Sequence, residues 1–279
     1  MSIRPDSTMF AALYGELVVH PWRDPLVASS FSSDAYSLFV ARSSAMGWLT
    51  EAEENAVGGL WGMNDAGHDP APAPAPRSRP PRVAWFQVSL TGPVPDGRPL
   101  PVQAFLSCAD DVVARIGTAH LRAVRLLLPV QSLDAPAGAS SRAGAVLPLL
   151  QDAGWFADGD PRLRARVRVT LDGGQDPSVR SAAPGILRWV REFDQDVFRC
   201  DAVSVTDDDD LVLEPAVIDE VWLGPAHHRV TFHGTLAEWS LEALGWLAAF
   251  LADAGSRHGV VTPLMLTAGL SAEPDTGLG

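Results

Sequence analysis

The sequence predicts an α+β chain, and three observations carry that prediction. Short segments alternate apolar and polar residues at a period of two, among them "RVAWFQVSL" and "RLRARVRV". Others repeat apolar residues at the helical period, most clearly "ILRWVREF" and "LEALGWLAAFLA". Glycine and proline punctuate the two kinds, as in "LDGG" and "APAPAP". Strands pairing with one another and covered by helices on one face of a mainly antiparallel sheet satisfy all three.

Residues 1–62 read as a small N-terminal helical segment. Met9, Leu13 and Leu17 recur every four residues in "STMFAALYGELVV". In "TEAE", Thr50 and Glu53 have the spacing of a capping box. Residues 63–82 read as a linker, because alternating alanine and proline cannot continue a helix and favour an extended form. Residues 83–279 then form the α+β domain.

Within that domain "RVAWFQVSLTG" is a strand, "ADDVVARIGTAH" a short helix and "LRAVRLLLPVQ" a second strand. "RLRARVRVTLDGG" is a strand that puts Arg162, Arg164, Arg166 and Arg168 on one side and stops at Gly173 and Gly174. "PGILRWVREFDQDVF" is a helix whose apolar stripe runs through Ile186, Leu187, Val190 and Phe193. "CDAVSVT" is a strand closed by the acidic run at 207–210, and "VIDEVWLG" and "HRVTFHG" are strands around a turn. The last helix is expected to start at Thr235, with Glu238 completing a capping box, to bury one face, and to end at Gly255. "VVTPLMLTA" closes the chain as a strand. Strand, glycine, Trp-bearing helix and strand recur twice after residue 160, and the "APAGASSRAGA" stretch at 135–145 separates an earlier similar unit, so the domain is expected to hold two similar halves, 83–150 and 160–270. Each would be a βαβ-containing unit of the ferredoxin-like kind.

Composition narrows function by exclusion. The formal net charge is −13, whereas a phosphate-gripping surface must be positive, so nucleic acid is not an expected partner. All 21 basic residues are arginine. Without lysine there is no P-loop, no pyridoxal-phosphate Schiff base and no protein-kinase site. The lysine-free, Ala-, Arg-, Pro- and Gly-rich usage is that of a GC-rich bacterial coding sequence. Apolar runs fall short of a membrane span, and the start of the sequence lacks a basic-then-apolar leader, so a cytoplasmic protein is expected. Cys108 and Cys200 stand apart in sequence, and no CxxC, GxSxG, HExxH or GxGxxG occurs.

The stretch with the most chemical character is "GPAHHRVTFHG", holding His227, His228 and His233. Along a strand, His227 and His233 lie roughly 20 Å apart at about 3.3 Å per residue, too far to share a metal ion. No metal or cofactor is therefore expected. His233, just before Gly234 and the final helix, is the one candidate general base. These signs predict a non-enzymatic protein working through protein–protein contact, in an immunity, scaffold or chaperone-like role. The alternative is a small-molecule-binding protein or metal-independent enzyme. It would use His233 or an acidic residue as base in a pocket between helices and sheet.

Overall fold

The structure is a computed structural model that describes residues 8–23, 33–49, 61–69, 79–90, 94, 98–133, 139–193, 195–205, 213–217, 222–225 and 227–271. Eight strands form one sheet: β1 (Thr8–Val19), β2 (Trp61–His68), β3 (Arg82–Leu90), β4 (Gly117–Leu128), β5 (Ala165–Asp172), β6 (Phe198–Ser204), β7 (Arg229–Leu236) and β8 (Leu264–Leu270). The described α-helices longer than one turn are α1 (Ala35–Met46), α2 (Val102–Ile116), α3 (Ala139–Ala157), α4 (Ser178–Glu192) and α5 (Leu241–Arg257). The α+β class holds, with an antiparallel sheet.

The strand order is β2-β3-β1-β4-β8-β5-β7-β6. Every described ladder in it is antiparallel. The first four strands and the last four therefore follow one plan. In each set the chain runs strand, helix, strand, strand, helix, strand, and the spatial order is second, third, first, fourth. The two sets meet through their last strands, where β4 pairs with β8 from Ala123↔Gly269 to Leu128↔Leu264. The common order takes in β1 and β2, which precede residue 83.

One face of the sheet carries the helices. Its core joins Met9, Ala11 and Leu13 of β1, Val167 and Val169 of β5, and Leu264 and Leu266 of β8 to Phe39, Phe105, Leu149, Ile186 and Leu247 from the five helices. On the other face Phe10, Ala12, Tyr14, Leu127 and Met265 are buried with Ala216 and Trp222, which come from the connection between β6 and β7.

Several expectations are corrected. Thr8–Val19 is a strand, not the start of a helical segment. As an inner strand between β3 and β4 it is buried on both faces, so its residues are apolar without alternation. The four-residue spacing of Met9, Leu13 and Leu17 then mimics a helix. The helix in this part of the chain is α1, capped by Asp34, which accepts from the Ser37 N–H at 2.8 Å, and closed by Gly47 in the left-handed conformation. The TEAE stretch lies outside the described residues. The segment read as a linker begins with a strand, since β2 extends to His68 and pairs with β3, while residues 70–78 lie outside the description.

The final helix starts six residues after Thr235. Its N-cap is Ser240, whose Oγ accepts from the Ala243 N–H at 3.1 Å, and Thr235 belongs to β7, between Arg166 and Arg199. Gly255 lies inside the helix, which ends at Arg257. Nor is α5 one-sided: nearly every residue from Leu241 to Ser256 is buried, because α2, α3, α4 and the sheet enclose it. Of "VIDEVWLG", the described residues, Val217 and Trp222 to Gly224, are not strand.

Candidate functional site

A broad cleft that carries several ionisable groups lies beside a mismatch in strand length. β4 has twelve residues and pairs with β1 along nearly all of them, from Val19↔Gly117 to Phe10↔Leu127. β8 covers only Ala123–Leu128. Gly269 and Leu270 are still paired with β5, and the Ser271 N–H donates to the Arg166 carbonyl at 3.0 Å. The outer edge of Gly117–Arg122 is thus left without a neighbouring strand among the described residues.

Across from that edge stand Trp239, Ser240 and Leu241, the link from β7 into α5. The cleft between them has a volume of about 530 Å3, and Glu16, Asp110, His120 and Arg122 also line it. Local structure fixes its walls. Trp239 donates its indole N–H to the Leu121 carbonyl at 2.9 Å. Ser240, besides capping α5, donates its hydroxyl to Glu238 Oε1 at 2.6 Å. A bulge between Tyr14 and Gly15 shifts the β1–β4 register beside the cleft. A Cβ on Gly15 would lie 2.2 Å from the His120 carbonyl oxygen, so only glycine lets the two backbones approach this closely. The Asp110 carboxyl is pushed up from the ordinary aspartate range, first by lost hydration and then by the neighbouring Asp111 carboxylate.

A second, smaller pocket of about 150 Å3 lies on the other face of the sheet, under Pro215–Val217 and Trp222. Its floor holds a buried ion pair. Arg229 Nε donates to Asp172 Oδ2 at 2.7 Å, and the Gly174 N–H donates to Asp172 Oδ1 at 2.9 Å. Burial raises the Asp172 pKa, and the bond from Arg229 opposes that rise. The glycines of "LDGG" therefore serve a turn whose aspartate is held by an arginine 57 positions later. Gly174 has φ +60, and a Cβ there would meet the Leu223 carbonyl at 2.2 Å.

The residues singled out in the sequence are scattered. His233 lies on β7, between Arg168 of β5 and Ala202 of β6, with its Nε2 3.2 Å from Ser204 Oγ. It lines neither pocket. His227 and His228 precede β7, and His228 makes backbone bonds to Gly173 and Gly174. Among the described residues no group of three or more His, Cys, Asp or Glu side chains could hold a metal. Of the four arginines read as one stripe, only Arg166 and Arg168 are in β5. Arg162 pairs with Asp160 at 3.2 Å, and Arg164 donates to the Asp196 carbonyl at 3.4 Å. Cys108 is buried on α2 and accepts from the Trp48 indole at 3.1 Å, while burial pushes the Cys200 thiol up. Residues 207–210 lie outside the described residues. No described helix is long and apolar enough to cross a membrane.

Sequence reasoning missed Asp110, Trp239 and the unpaired part of β4. Asp110 and Trp239 are 129 positions apart, and the packing of α2 against α5 brings them to one cleft. No protein-family model, curated protein or solved structure matches the chain.

Proposed function

We propose that this protein is non-enzymatic and works through protein–protein contact, in an immunity, scaffold or chaperone-like role. The observation that carries the reading is the outer face of α3. Val146, Leu149, Ala153 and Phe156 turn inward and are buried, and Trp246 of α5 donates its indole N–H to the Leu149 carbonyl at 2.6 Å. On the opposite side Leu147 is 54% exposed and Trp155 71% exposed. Exposed Gln151 completes the four-residue spacing between them. A tryptophan standing that far into water on a firmly docked helix is the kind of anchor that dominates protein interfaces.

The reading includes a cytoplasmic setting, supported by the two unbridged thiols, Cys108 and Cys200. It also takes each set of four strands as a ferredoxin-like unit, the pair arising by duplication. The common strand order supports that history. The test is native mass spectrometry of the protein purified from its source, with and without Trp155→Ala. A protein subunit bound stoichiometrically to the parent, and weakened at least about thirtyfold by the substitution, is expected. A chain that carries a small molecule and no subunit would overturn the proposal.

A second reading, a small-molecule-binding protein or metal-independent enzyme, is favoured by one observation. Glu16, Asp110 and His120 all line the cleft at the junction of the two strand sets. In that reading Asp110, and not His233, is the base or acid.

A further inference from the structure

We propose that the outer face of α3 is self-complementary, and that a second copy of this chain docks its own α3 there, antiparallel, about a twofold axis at Gln151. The inference rests on the protein-contact reading and names the partner at that same face.

Helical spacing sets the geometry. Val146, Leu149, Ala153 and Phe156 mark the buried side of α3, and the residue diametrically opposite that side is Gln151. Leu147 and Trp155, both exposed, stand one turn before it and one turn after it. They are displaced by equal angles to either side of the line through Gln151. Pro148 and Gly154 are spaced evenly about Gln151 in the same way. Even spacing about a polar centre is what a twofold contact requires, because each residue before the axis meets one after it on the other copy. With the axis at Gln151, Trp155 comes level with Leu147 and Pro148 of the second copy. A foreign partner places no such demand on the spacing.

The residue types agree. A side chain at the axis meets its own twin. A carboxylate or guanidinium would repel itself there, whereas the glutamine amide carries both donor and acceptor and bonds to an identical group. Gly154 is an independent observation. It is exposed within the helix, and a Cβ on it would meet nothing within 4 Å. Glycine weakens a helix interior relative to alanine, and no packing among the described residues requires it here. Its bare backbone beside Trp155 leaves room for Leu147 of the second copy. Charge limits the strength, since each copy carries −13 and the pair forms against mutual repulsion. A seam of two helical turns is also at the small end of specific interfaces, so a dissociation constant of about 10–100 µM is expected.

The test is sedimentation velocity on the intact chain from about 1 to about 500 µM, a range that brackets that constant. A monomer–dimer equilibrium is expected, and it should tighten severalfold between about 20 and about 300 mM salt as the repulsion is screened. Trp155→Ala should weaken the dimer at least about thirtyfold. Gly154→Ala should weaken it about fivefold while raising the thermal midpoint of the dilute, monomeric chain. Gln151→Glu and Gln151→Lys should each hold the chain monomeric, and mixing the two should restore a dimer, since only at a twofold axis does residue 151 face residue 151. A chain that stays monomeric at the highest concentration would overturn the proposal. So would a dimer indifferent to Trp155→Ala, or a mixture of the two charged variants that fails to associate. The two proposals fail separately. A foreign subunit that Trp155→Ala removes from a chain that never dimerises would refute the second copy alone.

Discussion

Tyr14 shows how much of the chemistry is set by burial. It is an inner-strand residue with no exposed surface, and its hydroxyl donates to the Glu214 carbonyl at 2.7 Å. Burial raises its pKa to about 12. The folded chain therefore keeps a proton that the unfolded chain loses near pH 10, so stability should fall as pH rises from about 10 to about 12. Denaturant midpoints measured across that range should show the decline, and Tyr14→Phe should remove it at a cost of about 1 kcal/mol near neutral pH. Asp110 has the same sign at lower pH. Its raised pKa means the folded state holds a proton longer than the unfolded state, so stability falls as pH rises through about 4. Asp110→Asn should then raise the denaturant midpoint at pH 7, and the gain should vanish below about pH 3. Neither environment can be read along the chain. Tyr14 was visible only as an apolar neighbour of Leu13, because Glu214 is 200 positions away.

For α5, the sequence made the helix legible but not its surroundings. Its apolar content and proximity to a capping signal predicted a helix here, and one is present. The starting point was misplaced because Thr235 and Glu238 have capping-box spacing by coincidence. β7 holds Thr235 in its ladder, leaving Ser240 as the cap. Substitution should rank these roles. Leu247→Ala, at a site with no exposed area, should cost about 2–5 kcal/mol. Ser240→Ala should cost about 0.5–2 kcal/mol, and Thr235→Ala no more than about 0.5. Gly245 offers a sharper check. Helix propensity alone favours alanine there by up to about 1 kcal/mol. Yet a Cβ would stand 2.7 Å from Gln103 Cα, where α2 crosses α5. Gly245→Ala should therefore lower the thermal midpoint, and a rise would show that the crossing is looser than described. β1 failed for the opposite reason: a strand buried on both faces has no polar side to alternate with.

At the scale of the whole molecule, the α+β class and the antiparallel sheet were legible. The first four-strand set was not, because half of its evidence lay in β1 and β2, read as helix and linker. Nor could any single stretch reveal that β4 and β8 join the sets. That junction determines how the molecule would bear mechanical load. β1 and β8 run parallel to each other on either side of β4, with Phe10 level with Met265 through Leu127. Tension applied at Thr8 and Leu270 would drag both ladders along their length, so many bonds must break together. Tension at Thr8 and Leu128, which lie at the same end of the β1–β4 ladder, would open that ladder one pair at a time. Single-molecule pulling through these two pairs of attachment points should give a clearly higher rupture force for the first. The shorter β4–β8 ladder, with six paired positions against ten between β1 and β4, should slip first. Equal forces would mean that the two sets part elsewhere. The same twelve-residue strand that lines the cleft at one end thus acts at the other as the clasp of the molecule.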